Sequence, residues 1–332
     1  MSSIAQASTV SVVICCYTEE RWDLLIKVIA SVQNQTLAPS QVIVVVDHDA
    51  DLYKRLVGTV QDVMLVENAE KRGLSGARNT AIRLASSDIV AFIDDDAEAA
   101  PDWLANLTSF YDDPDVLAVG GLVEPNWTNG RPAHFPEELD WIVGCSYRGL
   151  PKVATEVRNV IGANMSFRQY VLQQVGGFNL SLGRLGSVPL GCEETELCIR
   201  ATMGSPGSRI VYQPEAVVRH HVPAQRGTLQ YMLARSWSEG ISKAQVSHVV
   251  GHKRALKQER RYVRSVLSRA VLSGVRQGVK RGDFNGPRQA GTILAVLAAT
   301  TAGYIRGRVL AHAARKRVNV ASGTAIVGTP GE

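Results

Sequence analysis

The chain of 332 residues is poor in cysteine: it has five, Cys15, Cys16, Cys145, Cys192 and Cys198, and no CxxC pair. An odd count without paired spacing argues against a disulfide framework or a thiolate zinc site and leaves reduced thiols. A basic stretch followed by a long apolar one is also missing from "MSSIAQASTVSVVICCYTEE". No secretory signal is read there, and the chain is expected to stay cytoplasmic. The apolar run Ala290 to Ile305 falls short of the ~20 residues of a usual span and is rich in Ala, Thr and Gly, which disfavours a transmembrane helix. Charge of one sign is scarce too: 36 Lys and Arg against 31 Asp and Glu leave +5, which excludes a dedicated nucleic-acid binder unless the basic residues cluster.

What is present is a rhythm. Short β-branched runs, "VSVVICCY", "QVIVVVD", "DVMLVEN", "DIVAFIDDD" and "VLAVGGLV", alternate with longer segments of helical period. Between the first two runs, Leu24, Leu25, Val28, Ile29 and Val32 recur near every 3.6 residues. The pattern predicts βαβα units around a parallel sheet buried on both faces. In such sheets ligands bind beyond the carboxyl ends of the strands. Three runs end there in polar residues: Tyr17 to Glu20, Asp47 to Asp49, and Asp94 to Asp96. "CCYTEE" has no glycine, so the GxGxxG loop of a dinucleotide site is absent and NAD or FAD is not expected.

Farther on, Glu193, Glu194 and Glu196 open an amphipathic helix, and "SRIVYQPEAVVRHHVP" reads as a strand ending in Arg219, His220 and His221. The basic residues do cluster, from His252 to Arg288 and again after Ile305. A basic helix beside a marginal apolar one fits peripheral attachment to an anionic membrane surface. A solvated basic face with a helix packed on the body explains the same composition.

Adjacent carboxylates raise one another's pKa and destabilise the fold unless something positive binds them. The triplet Asp94, Asp95, Asp96 therefore suggests a divalent cation, Mn²⁺ or Mg²⁺, with positions left for substrate phosphates. A plainer alternative has one aspartate capping the helix near Pro101 while the others face water.

Taken in order, "VSVVICCYTEERWDLLIKVIASVQNQT", "QVIVVVD", "EKRGLSGARNTAI", "VAFIDDDA", "GANMSFR", "VGGFN" and "EETELCIR" resemble the family 2 glycosyltransferases, of GT-A fold, over about Ser8 to Gly240. "LGCEETELCIR" and the stretch from Arg219 to Ala244 resemble a subgroup described as glucosyl-dolichyl-phosphate glucuronosyltransferases. The resemblance implies an α/β fold with a Rossmann-like mixed sheet flanked by helices. It divides the chain into a catalytic domain over 8–240 and a basic helical extension over 241–332.

The implied reaction is transfer of a sugar from a nucleotide diphosphate, with UDP the expected nucleotide, to a lipid-linked or glycan acceptor. In the resemblance Cys16, Tyr17, Glu19 and Asp47 line the base and ribose, while Arg72, Gly73 and Arg78 belong to the segment that closes on the nucleotide. Asp94 and Asp96 match the DxD motif, Asp96 as metal ligand and Asp94 nearer the ribose or sugar; Asp95 is the variable middle position. His220 or His221 could add a metal ligand or phosphate contact, or simply close its strand. Glu194 matches the general base, which would give inversion by single displacement. Glu193 and Glu196 stay open as alternatives, as does an acidic first turn favoured by the helix dipole alone. Asn164, Gly162 and Gly177 are expected on the acceptor side, with Trp237 beside them in "RSWSEG", a loose echo of the QxxRW motif of processive synthases. Two rivals stand against this: a sugar nucleotidyltransferase, whose glycine-rich phosphate loop is missing, and a catalytically silent glycan- or membrane-binding protein on the same fold.

Overall fold

A computed structural model describes residues 8–182, 191–251, 256–281 and 284–324. The β-branched runs form Val10–Cys16 (β1), Gln41–Val46 (β2), Met64–Glu67 (β3) and Ile89–Asp94 (β4). They pair in parallel in the order β3-β2-β1-β4. Trp22–Gln33 (α1), Ala50–Val57 (α2) and Leu74–Leu84 (α3) make the crossovers. Helix α1 buries Leu25, Val28, Ile29 and Val32, as its period requires.

Beyond β4 the sheet changes direction. Ala97–Ala99 (β5), Trp103–Thr108 (α4), Val116–Trp127 (β6), Thr155–Val157 (β7), Asn164–Arg168 (β8), Gln169–Gln174 (α5), Glu193–Gly204 (α6) and Arg209–Val222 (β9) follow. Strand β8 lies antiparallel between β4 and β6, β6 and β9 run parallel, and β5 and β7 pair antiparallel with β9. Among the described residues nine strands thus make one mixed sheet. The parallel pattern read from the periodicity covers its first half, and the whole is the mixed sheet that the resemblance implies.

Leu229–Val250 (α7), Lys257–Tyr262 (α8), Ser268–Arg281 (α9) and Asn285–Thr324 (α10) follow among the described residues. Helix α10 lies against α7 almost backbone to backbone. A Cβ added at Gly240 would run into the Thr300 carbonyl, and one at Gly303 into the Trp237 carbonyl. By length and composition Asn285–His312 could cross a membrane. Its Ala290, Ile293 and Val296 are nevertheless buried in the main core.

Candidate active site

Parallel pairing of β1, β2 and β4 brings their carboxyl ends to one edge. Cys15 faces Asp94 in register, and the Asp47 amide donates to the Cys16 carbonyl at 2.7 Å. The antiparallel β5–β9 pair sets Ala97 opposite His220, which carries the histidine to the aspartate turn. There His220 Nε2 lies 3.1 Å from Asp96 Oδ1. Arg21 Nη1 reaches Asp95 Oδ1 at 2.6 Å and Asp96 Oδ2 at 3.1 Å, and Arg226 Nη2 stands 3.7 Å from Asp96 Oδ2. Burial alone would raise the Asp96 carboxyl, but His220, Arg21 and Arg226 hold it far below the usual range. Asp95 goes the other way: burial outweighs Arg21 and raises it, and its Oδ2 has no hydrogen-bond partner among the described residues.

Asp94 turns aside from the other two. Its Oδ1 lies 3.3 Å from Arg78 Nη2, and Arg78 Nη1 lies 3.1 Å from Glu193 Oε1. The same guanidinium donates to the Gly162 carbonyl at 3.0 Å. At 2 % exposure Arg78 is a buried tie between the aspartate turn and the first residue of α6.

One cavity of about 810 Å³ collects these groups. Cys16, Tyr17, Asp47, Arg72, Gly73, the three aspartates, His220, Glu193 and Glu194 all line it. Asp47 is held for its position: Gly73 N–H donates to its Oδ2 at 2.9 Å and Asn68 Nδ2 to its Oδ1 at 2.7 Å. Gly73 makes that bond at φ 129°, a conformation open to glycine. Glu194, half-buried at the α6 N-terminus, is pushed up to about 8 by burial and by Glu193 beside it.

The family model for Glycosyl transferase family 2 matches residues 11–176. A Haloferax volcanii protein named glucosyl-dolichyl phosphate glucuronosyltransferase is 34% identical over 314 residues, covering 93% of this chain and 99% of its own. The chain belongs to glycosyltransferase family 2. A second relative, the succinoglycan biosynthesis protein ExoM of Rhizobium meliloti, is 30% identical over 207 residues, 60% of this chain and 62% of its own. A mannosyltransferase structure from Pyrobaculum calidifontis, in complex with GDP-Man and Mn²⁺, superposes with a TM-score of 0.57 at 19% identity, covering 89% of this chain and 88% of that one. That likeness shows the GT-A fold.

This glycosyltransferase has a donor set suited to a divalent cation. One ligand atom each from Asp94, Asp96 and His220 lie within 4.8 Å of one another. Two carboxylate oxygens with one imidazole nitrogen suit Mn²⁺ better than Mg²⁺, which prefers oxygen alone.

Other expected site residues stand apart from the cavity. Asn164 is fully buried and ties the sheet together. Its Nδ2 donates to the Leu122 and Ala216 carbonyls at 2.9 and 2.8 Å, and its Oδ1 accepts from Trp103 Nε1 at 2.8 Å. Both of its amide N–H groups are thus used within the sheet. Gly177 closes α5 at φ 72° against Asn79, and its carbonyl accepts from Arg200. Trp237 is exposed, with its backbone against α10. Glu19 is exposed beside Arg55, at 3.9 Å. Glu196 belongs to Arg200, 2.7 Å away, and its side chain is buried there. Arg21 and Arg226, which meet the aspartates, were missed by the sequence reading. The one signal for Arg21 was its place directly after "YTEE" at a strand end.

Proposed function

We propose that the chain transfers a sugar from a nucleoside diphosphate to a hydroxyl group of a lipid-linked acceptor, with inversion at the anomeric carbon. The observation that carries this reading is that Glu194 lines the same cavity as Asp94, Asp96 and His220. Asp94, Asp96 and His220 would hold a divalent cation, Mn²⁺ by preference, which supplies Lewis-acid stabilisation of the charge on the departing diphosphate. Tyr17 offers an exposed ring for the base, and Asp47 a fixed carboxylate. Arg72 is exposed at the cavity mouth, where it can meet phosphate oxygens.

In the step, the acceptor oxygen forms a bond to the anomeric carbon while the bond from that carbon to the diphosphate oxygen breaks. Glu194 takes the hydroxyl proton, and the nucleoside diphosphate leaves with the bonding pair. A single displacement inverts the centre. Glu194 suits this task because its raised pKa makes it a stronger base than an ordinary carboxylate.

Outside the cavity, α9 and α10 expose Leu272, Val275, Val279, Leu294, Ile305, Val309 and Leu310, with Phe284 exposed just before α10. Arg269, Arg276, Arg288, Arg306 and Arg308 are exposed among them. This mixture supports attachment to the anionic cytoplasmic face of a membrane, where a lipid-linked acceptor resides.

The test is release of nucleotide from a panel of UDP- and GDP-sugars with Mn²⁺, repeated with lipid extract as acceptor. Asp96→Ala is expected to lower metal-dependent turnover on the order of 10²–10³-fold, as for loss of a main electrostatic stabiliser. Full metal-dependent turnover in that variant would overturn the assignment.

A further inference from the structure

A short helical turn, Glu19–Arg21, follows β1, and Thr18 caps it by accepting the Glu20 N–H at 3.3 Å. The turn sets the Arg21 guanidinium over the Tyr17 ring, 5.3 Å from its centre. There one nitrogen serves two acceptors. Arg21 Nη1 contacts Asp95 Oδ1 at 2.6 Å and Asp96 Oδ2 at 3.1 Å, so two neighbouring carboxylates meet on a single donor. The other Asp95 oxygen, Oδ2, is buried without a hydrogen-bond partner among the described residues. Asp96 differs: its Oδ1 faces His220 Nε2 at 3.1 Å, and the His221 N–H donates to its backbone carbonyl at 2.8 Å.

Three adjacent carboxylates need not all serve one ion. Among the described residues Asp94, Asp96 and His220 bring ligand atoms within 4.8 Å of one another, and Asp95 is outside that group although it stands between the two aspartates in the chain. Affinity for a divalent ion rises with the number of charged ligands. Three carboxylates would hold it more tightly than two carboxylates and an imidazole, and would leave fewer positions for phosphate oxygens. Asp95 has the means to join: it lines the cavity and has an oxygen to spare. Its partner is Arg21, whose positive charge also opposes a second cation on the same carboxylates.

We infer that Arg21 is a positioning residue that defines the cation site: by engaging Asp95 Oδ1 and Asp96 Oδ2 it keeps Asp95 out of the ion's ligand set and confines the set to Asp94, Asp96 and His220. The inference rests on the cation site of the transferase reading above. Arg21 acts through the carboxylates and needs no contact with the ion or the sugar. Its charge weakens the hold on a bare ion, and the coordination position that Asp95 would fill stays open for the diphosphate. Arg226 is placed differently, 3.7 Å from Asp96 Oδ2, on a carboxylate that already serves the ion.

The experiment titrates the full chain with Mn²⁺, alone and with UDP, reading free ion by electron paramagnetic resonance and the water ligands of bound ion by water proton relaxation. Arg21→Gln is expected to bind Mn²⁺ alone about tenfold more tightly, the scale on which residues behind the ligands alter metal affinity, with one water fewer on the ion. Adding Asp95→Asn to that variant should undo both changes. Arg21→Met keeps the stem beside Tyr17 without the charge and should reproduce the gain, so the measurement survives a Gln variant that fails to fold; circular dichroism checks each protein. Unchanged or weaker Mn²⁺ binding in a folded Arg21 variant would overturn the inference. Tighter binding with the water count unaltered would do the same, as would a gain that survives Asp95→Asn. The unaltered chain separates the two levels of inference. Mn²⁺ uptake without the expected Arg21 effect removes only this role, whereas no uptake even with UDP removes the cation from the transferase reading on which it rests.

Discussion

A carboxyl group that must take a proton during a reaction is useful only if its pKa lies near the working pH. Glu194 is pushed from an ordinary 4.5 to about 8, so in the donor-free protein the active, ionised form grows as pH rises through 8. Turnover per unit substrate at low donor concentration is expected to climb over that window, and Glu194→Gln to fall on the order of 10²–10⁴-fold with the pH dependence flattened. A pH–rate series on both proteins measures it. Linkage gives a second readout. Because the folded pKa is raised, the folded state binds the extra proton. Its contribution to stability is complete below about 4.5 and is lost as pH rises through about 8. Melting temperatures of the Gln variant should gain on the unaltered chain over that interval; a constant difference would show that Glu194 does not titrate there. The aspartate cluster at the cavity was legible in the sequence because three charges at the end of an apolar strand demand an explanation. Arg21, Arg226 and the buried duty of Asn164 were not, since which side chain meets which depends on how β5, β8 and β9 cross the sheet.

At the level of elements, period and β-branching identified β1, β2, β4 and α1, whose apolar residues are buried where the pattern requires. The antiparallel half was hidden, for a strand buried on both faces reads alike in either direction. Helix α10 was harder still. Its Ala, Thr and Gly served in the sequence only to disfavour a membrane span, whereas Gly303 and Gly307 are buried against α7 and give the helix its close approach. Gly303→Val should therefore force α7 and α10 apart and destabilise the fold by about 1–3 kcal/mol, the usual cost of overpacking. Denaturant unfolding measures this. The exposed control Gly291→Ala meets open space and should leave stability unchanged or slightly higher.

For the molecule as a whole, a net charge of +5 understates the local field, because the exposed arginines of α9 and α10 sit among exposed aliphatic side chains. Flotation with vesicles containing anionic lipid should carry the protein upward at low salt and release most of it near 1 M, where screening falls to about 3 Å. Arg269→Glu combined with Arg276→Glu should weaken that binding several-fold. No association with anionic vesicles at low salt would remove the membrane surface from the proposal. Composition alone could suggest this face but could not say which side of each helix was left open; packing of Ala290, Ile293 and Val296 into the core decides that.

Arg78 carries one further consequence. A single guanidinium holds Asp94 on one side and Glu193 on the other, so whatever draws Asp94 toward a donor changes the electrostatic surroundings of the helix that presents Glu194. On the proposed reading, binding of the two substrates is therefore expected to be coupled. By reciprocity, the factor by which bound donor alters acceptor affinity equals the factor by which acceptor alters donor affinity. On the proposed reading, titrating either substrate in the presence and absence of the other measures that shared factor.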